Sequence, residues 1–329
     1  MRTPATGGAD SWHGCNTMKR FLLATHGVTL HGVIFFWLTA FVTVDARAQS
    51  PTAEDTEQPV ANEPVRADGK QHLLRYQFTL GETVRWKVTH EATTETRIQG
   101  NSQSSKSRSV STKVWHVDSI DDDGNISFTH SVESVNMWQE LSDRPKVGYD
   151  STKDTTVPRE YEQVAKTVGV PLTSVTISSE GKLIDRKSSL GQPNFGLGDI
   201  VMLLPPKPVK AGSKWTEPAE IQIREANQQV KRIKIRKLYT LKKVQTGVAT
   251  IEIKTEVLTP IHDASVKAQL VQQIADGTVR FDVDAGRVIS RRMDWDESVI
   301  GFSGDDSLME YLARFTEELL SDEARTARK

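Results

Sequence analysis

The residues best able to do chemistry in this 329-residue chain are few. Beyond residue 48 there are five histidines, His72, His90, His116, His130 and His262, and no two are spaced as ligands on one helical turn. His116 and His130 flank the run Asp121-Asp122-Asp123-Gly124-Asn125. A hairpin at that run would set them across from one another, as a pair that binds a metal or titrates near neutral pH. The plainer reading, two polar residues on a solvated sheet face, is favoured by the period-2 pattern around them. Asp294 and Asp296 share one face if 294–297 is a strand. They could then hold a hard cation or act as an acid/base pair, although a charged edge that discourages sheet-to-sheet aggregation is the commoner use of such residues. A hydrolase built from this chain would have to assemble its site from Asp294, Asp296, His116 or His130. The Asp121–Asn125 run is no calcium loop: with Gly124 at the glycine position, Ser119 and His130 would occupy the first and last ligand positions, where carboxylates are required. It reads as a tight hairpin turn, and His262-Asp263 reads as a helix cap.

The familiar catalytic signatures are missing. There is no Gly-x-Ser-x-Gly elbow, no His-Glu-x-x-His, no phosphate-binding loop and no dinucleotide glycine fingerprint. The single Cys15 excludes an internal disulfide framework and a multi-cysteine zinc site. No catalytic, cofactor-binding or metal-ligating residue is assigned, no cofactor is expected, and the chain is read as non-catalytic. With 42 Lys+Arg against 43 Asp+Glu, the near-neutral balance excludes a general nucleic-acid binder.

The N-terminus carries an address. Met18 is followed by Lys19 and Arg20, an apolar run from Val33 to Val44, and Ala46-Arg47-Ala48, which places small residues where a signal peptidase needs them. The apolar run is about a dozen residues, short of the ~20 that a spanning helix requires, so a cleaved signal is preferred to an anchor. Cleavage is predicted after Ala48. Cys15 precedes the apolar run and cannot carry a lipoprotein anchor. Removing residues 1–48 removes four basic and two acidic residues, leaving a mildly acidic product. The protein is expected to be exported, periplasmic or envelope-associated, without a lipid anchor or a span in its mature form.

Residues 49–70 hold three prolines, several acids and no aromatic residue, and read as a disordered linker. From Leu73 onward the pattern changes to antiparallel β. Leu74, Tyr76, Phe78 and Leu80 alternate with polar residues, as do Val84, Trp86 and Val88. Ser102–Ser109 reads as an exposed hairpin tip. Three blocks recur in order: Gly81–Trp86 with Gly212–Trp215; Trp115–Phe128 with Tyr239–Ile253; and Val175–Arg186 with Phe281–Arg291. Helix-like stretches at Arg159–Val168 and Ala264–Ile274 precede the third block in each copy. The expected organisation is a first β half at 71–203, a Pro-rich connector at 204–211, and a second β half at 212–304. A C-terminal segment at 305–329 is read as a helix on the stripe Leu308, Leu312, Phe315 and Leu319, with an edge strand through Met309, Tyr311, Ala313 and Phe315 fitting almost as well. The fold class is mainly β: antiparallel curved sheets forming a barrel-like or sandwich body from two related halves, with one or two short helices in each.

The turn glycines ahead of strand tryptophans, the junction Leu-Pro-x-x-Pro-Val-x-x-Gly-Ser-x-Trp at Leu204–Trp215, and the late Gly-Lys/Arg-Leu/Val-Ile hairpins resemble an uncharacterised family of exported bacterial β-rich proteins, a domain of unknown function. The resemblance covers Leu73 to Leu320. It implies an exported β body and brings no catalytic residue.

Trp86, Trp115, Trp215 and Trp295 are spread over the expected strands, where they either anchor a core or line an apolar cavity. Two functions of different kind are open to such a chain. One is a carrier that buries a lipid or other apolar small molecule between curved sheets. The other is a structural or interaction protein of the cell envelope, with a filled core and an envelope protein as its partner.

Overall fold

The computed structural model describes residues 69–188, 201–225 and 229–321. The chain divides into 1–40 and 41–329. The first unit lies wholly outside the described residues, and every described element belongs to the second. The elements in chain order are β1 (Thr83–Ile98), β2 (Asn101–Ile120), β3 (Ile126–Leu141), β4 (Arg144–Asp150), α1 (Glu162–Ala165), β5 (Pro171–Ile177), β6 (Leu183–Ser188), β7 (Lys214–Arg224), β8 (Val230–Gln245), β9 (Val248–Val257), α2 (Ala264–Leu270), β10 (Asp276–Asp282), β11 (Arg287–Ile300) and β12 (Leu308–Leu319). They form one antiparallel sheet in the order β6-β5-β3-β2-β1-β12-β11-β10-β9-β8-β7, with β4 added beside the far end of β3. Among the described residues the two ends of this order, β6 and β7, are not paired, so the sheet is open, and neither a closed barrel nor two separate sheets results.

Alternation explains which side faces in. On β1, Val84 and Trp86 are buried, while Arg85 and Lys87, which follow each of them, point to the other face. The outer face is laced with cross-strand ion pairs. Glu91 lies opposite Arg108 at 2.9 Å, and Asp294 lies opposite Arg314 at 2.7 Å. Such exposed pairs contribute little each, on the order of 0–1 kcal/mol, but they keep that face polar. The inner faces of both halves join a single core: Trp86, Trp115 and Phe128 from the first half pack in the same cluster as Tyr239, Ile251, Val279 and Phe281 from the second. One sheet can supply both sides of a core only by curling over itself, as wide twisted sheets do. The Trp115 and Phe128 rings stack at 4.1 Å, and Trp86 meets Trp115 at 4.7 Å.

Two segments outside the long ladders pack against this core, joined to each other by one bridge at His72 and Val209. Residues 72–78 run extended between the halves. Tyr76 N–H donates to Ser179 O in the β5–β6 turn, and Gln77 N–H donates to Gly286 O in the corresponding β10–β11 turn. Those turns carry Gly181 and Gly286, both at positive φ. A Cβ on Gly286 would come within 2.7 Å of Arg75 O, and one on Gly181 within 2.7 Å of the Tyr76 ring, so both glycines are needed for the close approach. The Pro-rich connector is the second segment. Met202 and Leu204 are buried, the Tyr76 hydroxyl bonds Met202 O and N, and Trp215 Nε1 donates to Leu203 O at 2.7 Å. Pro205 is buried beside Leu204, whereas Pro206 and Pro208 are exposed, and Val209 exchanges backbone hydrogen bonds with His72.

Several expectations need correction. Residues 308–319 are a strand, not a helix, and it is central rather than at an edge: β12 sits between β1 and β11. The inward set Tyr311, Ala313 and Glu317 has period 2, and β partners on both sides decide the matter. Ser102–Ser109 is not a tip but the start of β2. The hairpin turns at Gln99-Gly100, both at positive φ, as a two-residue turn demands. Leu74–Leu80 alternates as expected yet forms no ladder.

The two halves place their strands in the same spatial order. Matching β1, β2, β3, α1, β5 and β6 with β7, β8, β9, α2, β10 and β11 preserves every neighbour. Gly81 N–H donates to Val117 O and Val117 N–H to Glu82 O; likewise Gly212 N–H donates to Leu241 O and Leu241 N–H to Ser213 O. The ladders also slip at matching points, between Val117 and Ser119 and between Leu241 and Lys243.

Candidate functional site

The centre of the molecule is filled by aromatic and aliphatic side chains, so space for a ligand must come from elsewhere. It arises where β10 is too short. β10 begins at Asp276, opposite Lys254 on β9 and Asp294 on β11. Beyond that point β9 and β11 run on without a strand between them, and the sheet forks. Helix α2 lies over the fork. Asp263 caps it by accepting from Ser265 N–H at 2.7 Å, and Val266 and Leu270 point inward against Ile221, Ile223, Ile233 and Ile235. Val271 turns to the other side and packs with Ala92, Val299, Tyr311 and Ala313. Two side chains hold the segment after α2 across the gap: Thr255 Oγ1 donates to Ala275 O at 2.9 Å, and Trp295 Nε1 donates to Gln272 O at 3.1 Å.

Between α2 and the fork lies a half-open cavity of about 330 Å³. Val257, Ile261, Leu270, Val271, Ile274 and Val299 give it apolar walls, with Thr259, Pro260 and Ser298 beside them. Its two charged liners are Lys267 on the solvent side of α2 and Glu297 on the inner face of β11. Burial, with Asp296 and Asp276 nearby, pushes the Glu297 carboxyl above the usual range. Neither residue has an ion-pair partner among the described residues.

A second polar feature is fully enclosed. Glu317 of β12 is 2 % exposed and pairs with Lys113 Nζ from β2 and, at 3.3 Å, with Arg291 from β11. Lys113 reaches it across β1, with its ammonium over the Trp86 and Trp115 rings at 5.4 and 5.5 Å. Burial holds the Lys113 ammonium below its ordinary pKa, against the opposing pull of Glu317. His130 lies nearby on β3, 2 % exposed, and neither ring nitrogen has a hydrogen-bond partner among the described residues. Burial first, and then the charges of Lys113 and Arg186, push its pKa down to about 3. A neutral imidazole in the core is the consequence. Sequence reading passed over Lys113, Arg291 and Glu317; their inward parity on strands was the available signal.

The residues singled out from the sequence do not converge. His116 is exposed on the outer face with a ring nitrogen 3.0 Å from Thr83 Oγ1, whereas His130 is buried on the inner face. In the ladder His116 lies opposite Thr129, and His130 lies opposite Trp115. The two imidazoles are therefore one register position out and on opposite faces: they form no pair, and the solvated-face reading holds for His116 but not for the buried His130. Asp294 and Asp296 do share the outer face, but Asp294 is held by Arg292 and Arg314, each at 2.7 Å. The hydrolase constellation is thereby dispersed. Asp121 closes its hairpin turn by accepting from Asp123 N–H and Asn125 N–H. Trp86 and Trp115 are packed in the core, Trp215 is fixed to the connector, and Trp295 clamps the fork; none of the four lines the cavity. Lys19, Arg20, Ala46 and Ala48 of the leader, and nearly all of the 49–70 linker, lie outside the described residues. Among the described residues no group of three or more His, Cys, Asp or Glu could hold a metal ion. No helix among them is long and apolar enough to cross a membrane.

Residues 196–286 match the profile of a family of unknown function, DUF6263, in agreement with the uncharacterised family expected from the turn motifs. No curated protein matches the sequence. Among solved structures, one of lipid–protein interactions in lipovitellin superposes with a TM-score of 0.45 at 11 % identity, over 74 % of this chain and 26 % of that one. This chain thus spans about a quarter of lipovitellin's length. DynF from the dynemicin biosynthesis pathway of Micromonospora chersina gives 0.21 at 8 % identity, over 80 % and 95 % of the two chains. A DUF1329 family protein from Desulfovibrio piger gives 0.14 at 11 %, over 69 % and 83 %. At these identities and scores the likenesses bear on neither ligand nor activity.

Proposed function

We propose that this protein is an exported, non-catalytic binding protein that holds an apolar small molecule in the cavity between α2 and the β9–β11 fork. The observation that carries the reading is the cavity itself: about 330 Å³ of space walled by six aliphatic side chains, in a molecule whose centre is otherwise filled. That volume is at the lower end of the range for small-molecule sites. Binding there removes apolar surface from water at about 25 cal/mol per Å², with no bond chemistry required. Trp295 and Thr255 hold the segment after α2 by side-chain hydrogen bonds to its backbone, which fixes one wall of the site against β9 and β11. The export pattern at Lys19, Arg20, Ala46 and Ala48 supports a periplasmic or envelope location. The shared strand order, the paired turn hydrogen bonds and the matching ladder slips support an origin by duplication.

Native mass spectrometry of the protein purified from its own host, followed by solvent extraction, tests the reading. A co-purifying apolar molecule, lost in a Leu270→Trp variant that fills the cavity, is the expected result. Protein of the unliganded mass in every preparation, with no uptake of added alcohols or fatty acids, would defeat it.

A further inference from the structure

Resting on the cavity assigned above, we infer that its ligand is an amphiphile with a cationic head, an alkyl amine or ammonium compound whose chain lies against Leu270, Val271 and Val299 and whose head meets Glu297. The geometry gives the two charged liners unequal weight. Glu297 is fixed by the β11 backbone, opposite Tyr311 of β12, and points to the inner face. Its neighbours in the cavity wall are Ser298 and Val299. It makes no ion pair among the described residues, and the nearby charges of Asp296 and Asp276 have its own sign. A half-buried carboxylate in this setting lacks the partner that such groups ordinarily have. Lys267 is different. It is exposed on the outer side of a seven-residue helix, and its ammonium is hydrated on a flexible stem. An anionic head placed beside Lys267 gains little over water and shares the cavity with the Glu297 carboxylate. A cationic head placed at Glu297 gains a charge-assisted hydrogen bond in a partly dry site. A site that leaves a desolvated polar group waiting discriminates strongly against ligands that cannot satisfy it.

The test is isothermal titration of the full chain with octylamine, octanol and octanoate at neutral pH, repeated on Glu297→Gln. The expected order is octylamine about tenfold tighter than octanol, with octanoate weakest, and this preference vanishes in Glu297→Gln while octanol affinity is retained. Glu297 makes no ion pair within the described residues, so the variant is expected to fold, and its thermal midpoint checks that. Equal binding of octylamine and octanol, tighter binding of octanoate, or a preference that survives Glu297→Gln overturns the cationic head while leaving the apolar cavity standing. Failure of all three ligands to bind the wild type overturns both.

Discussion

The enclosed ion cluster offers the sharpest perturbation, Glu317→Ala. Glu317, Lys113 and Arg291 have side-chain exposures of 2 %, 8 % and 11 %. Removing the carboxylate takes away the anion that Lys113 and Arg291 share in a nearly dry site. At an effective dielectric of ~20, a charge pair at the 3.3 Å separation of Arg291 and Glu317 is worth about 5 kcal/mol before desolvation is subtracted. The expected net loss is about 3–5 kcal/mol, as for other broken buried pairs. Urea unfolding followed by tryptophan fluorescence measures it, because Trp86 and Trp115 lie under the Lys113 ammonium. A triple replacement of Lys113, Arg291 and Glu317 by Met should recover most of the loss, since the desolvation of all three charges disappears together. The pH dependence has a definite sign. A lysine whose folded pKa lies below its unfolded value opposes folding while protonated, so the deficit of Glu317→Ala should narrow as pH rises toward the ordinary lysine value of 10.5. A loss below about 1 kcal/mol would refute the reasoning, because water or another anion would then be serving the two cations.

Other outcomes are expected from the same structure. His130 is neutral and buried, with a folded pKa of about 3 against an ordinary 6.5; stability is fully present above pH 6.5 and falls as pH drops toward 3, by up to roughly 4–5 kcal/mol, and His130→Leu should flatten that slope in acid unfolding curves. Phe128→Ala removes the ring stacked on Trp115 and should cost about 3–5 kcal/mol in the same urea assay. Gly286→Val should destabilise by more than about 1 kcal/mol, because its side chain would collide with Arg75 O and Gln77 at a positive φ; equal stability would deny the 72–78 segment its fixed path. Protein recovered from cells should begin at Gln49, as read by N-terminal sequencing, and an intact leader would remove the export reading.

Much of the sheet was legible because strands announce themselves by parity. Val84, Trp86 and Val88, or Ile251 and Ile253, alternate with polar residues that carry the outer ion pairs, and the Asp121–Asn125 and Thr246-Gly247 turns punctuate them. The terminal segment was harder: Leu308, Leu312, Phe315 and Leu319 lie at helical spacing while Tyr311, Ala313 and Glu317 lie at strand spacing, and only the long partners β1 and β11 choose between them. The cavity was not legible at all. It depends on where β10 stops relative to β9 and β11, a difference in strand length set by pairing across residues far apart in sequence. Glu297 looked like one more member of an acidic run, yet its parity places it inward and parts it from Asp294 and Asp296. The tryptophans suit a core as well as a cavity, and Trp86 and Trp115 pack in the core beside the 72–78 segment.

Methyl-resolved NMR during addition of octanol tests the central claim most directly. Perturbations confined to Val257, Ile261, Leu270, Ile274 and Val299, saturating with one site, are the predicted result. Shifts centred on the core around Ile251 and Val279, or no saturable shift anywhere, would contradict it.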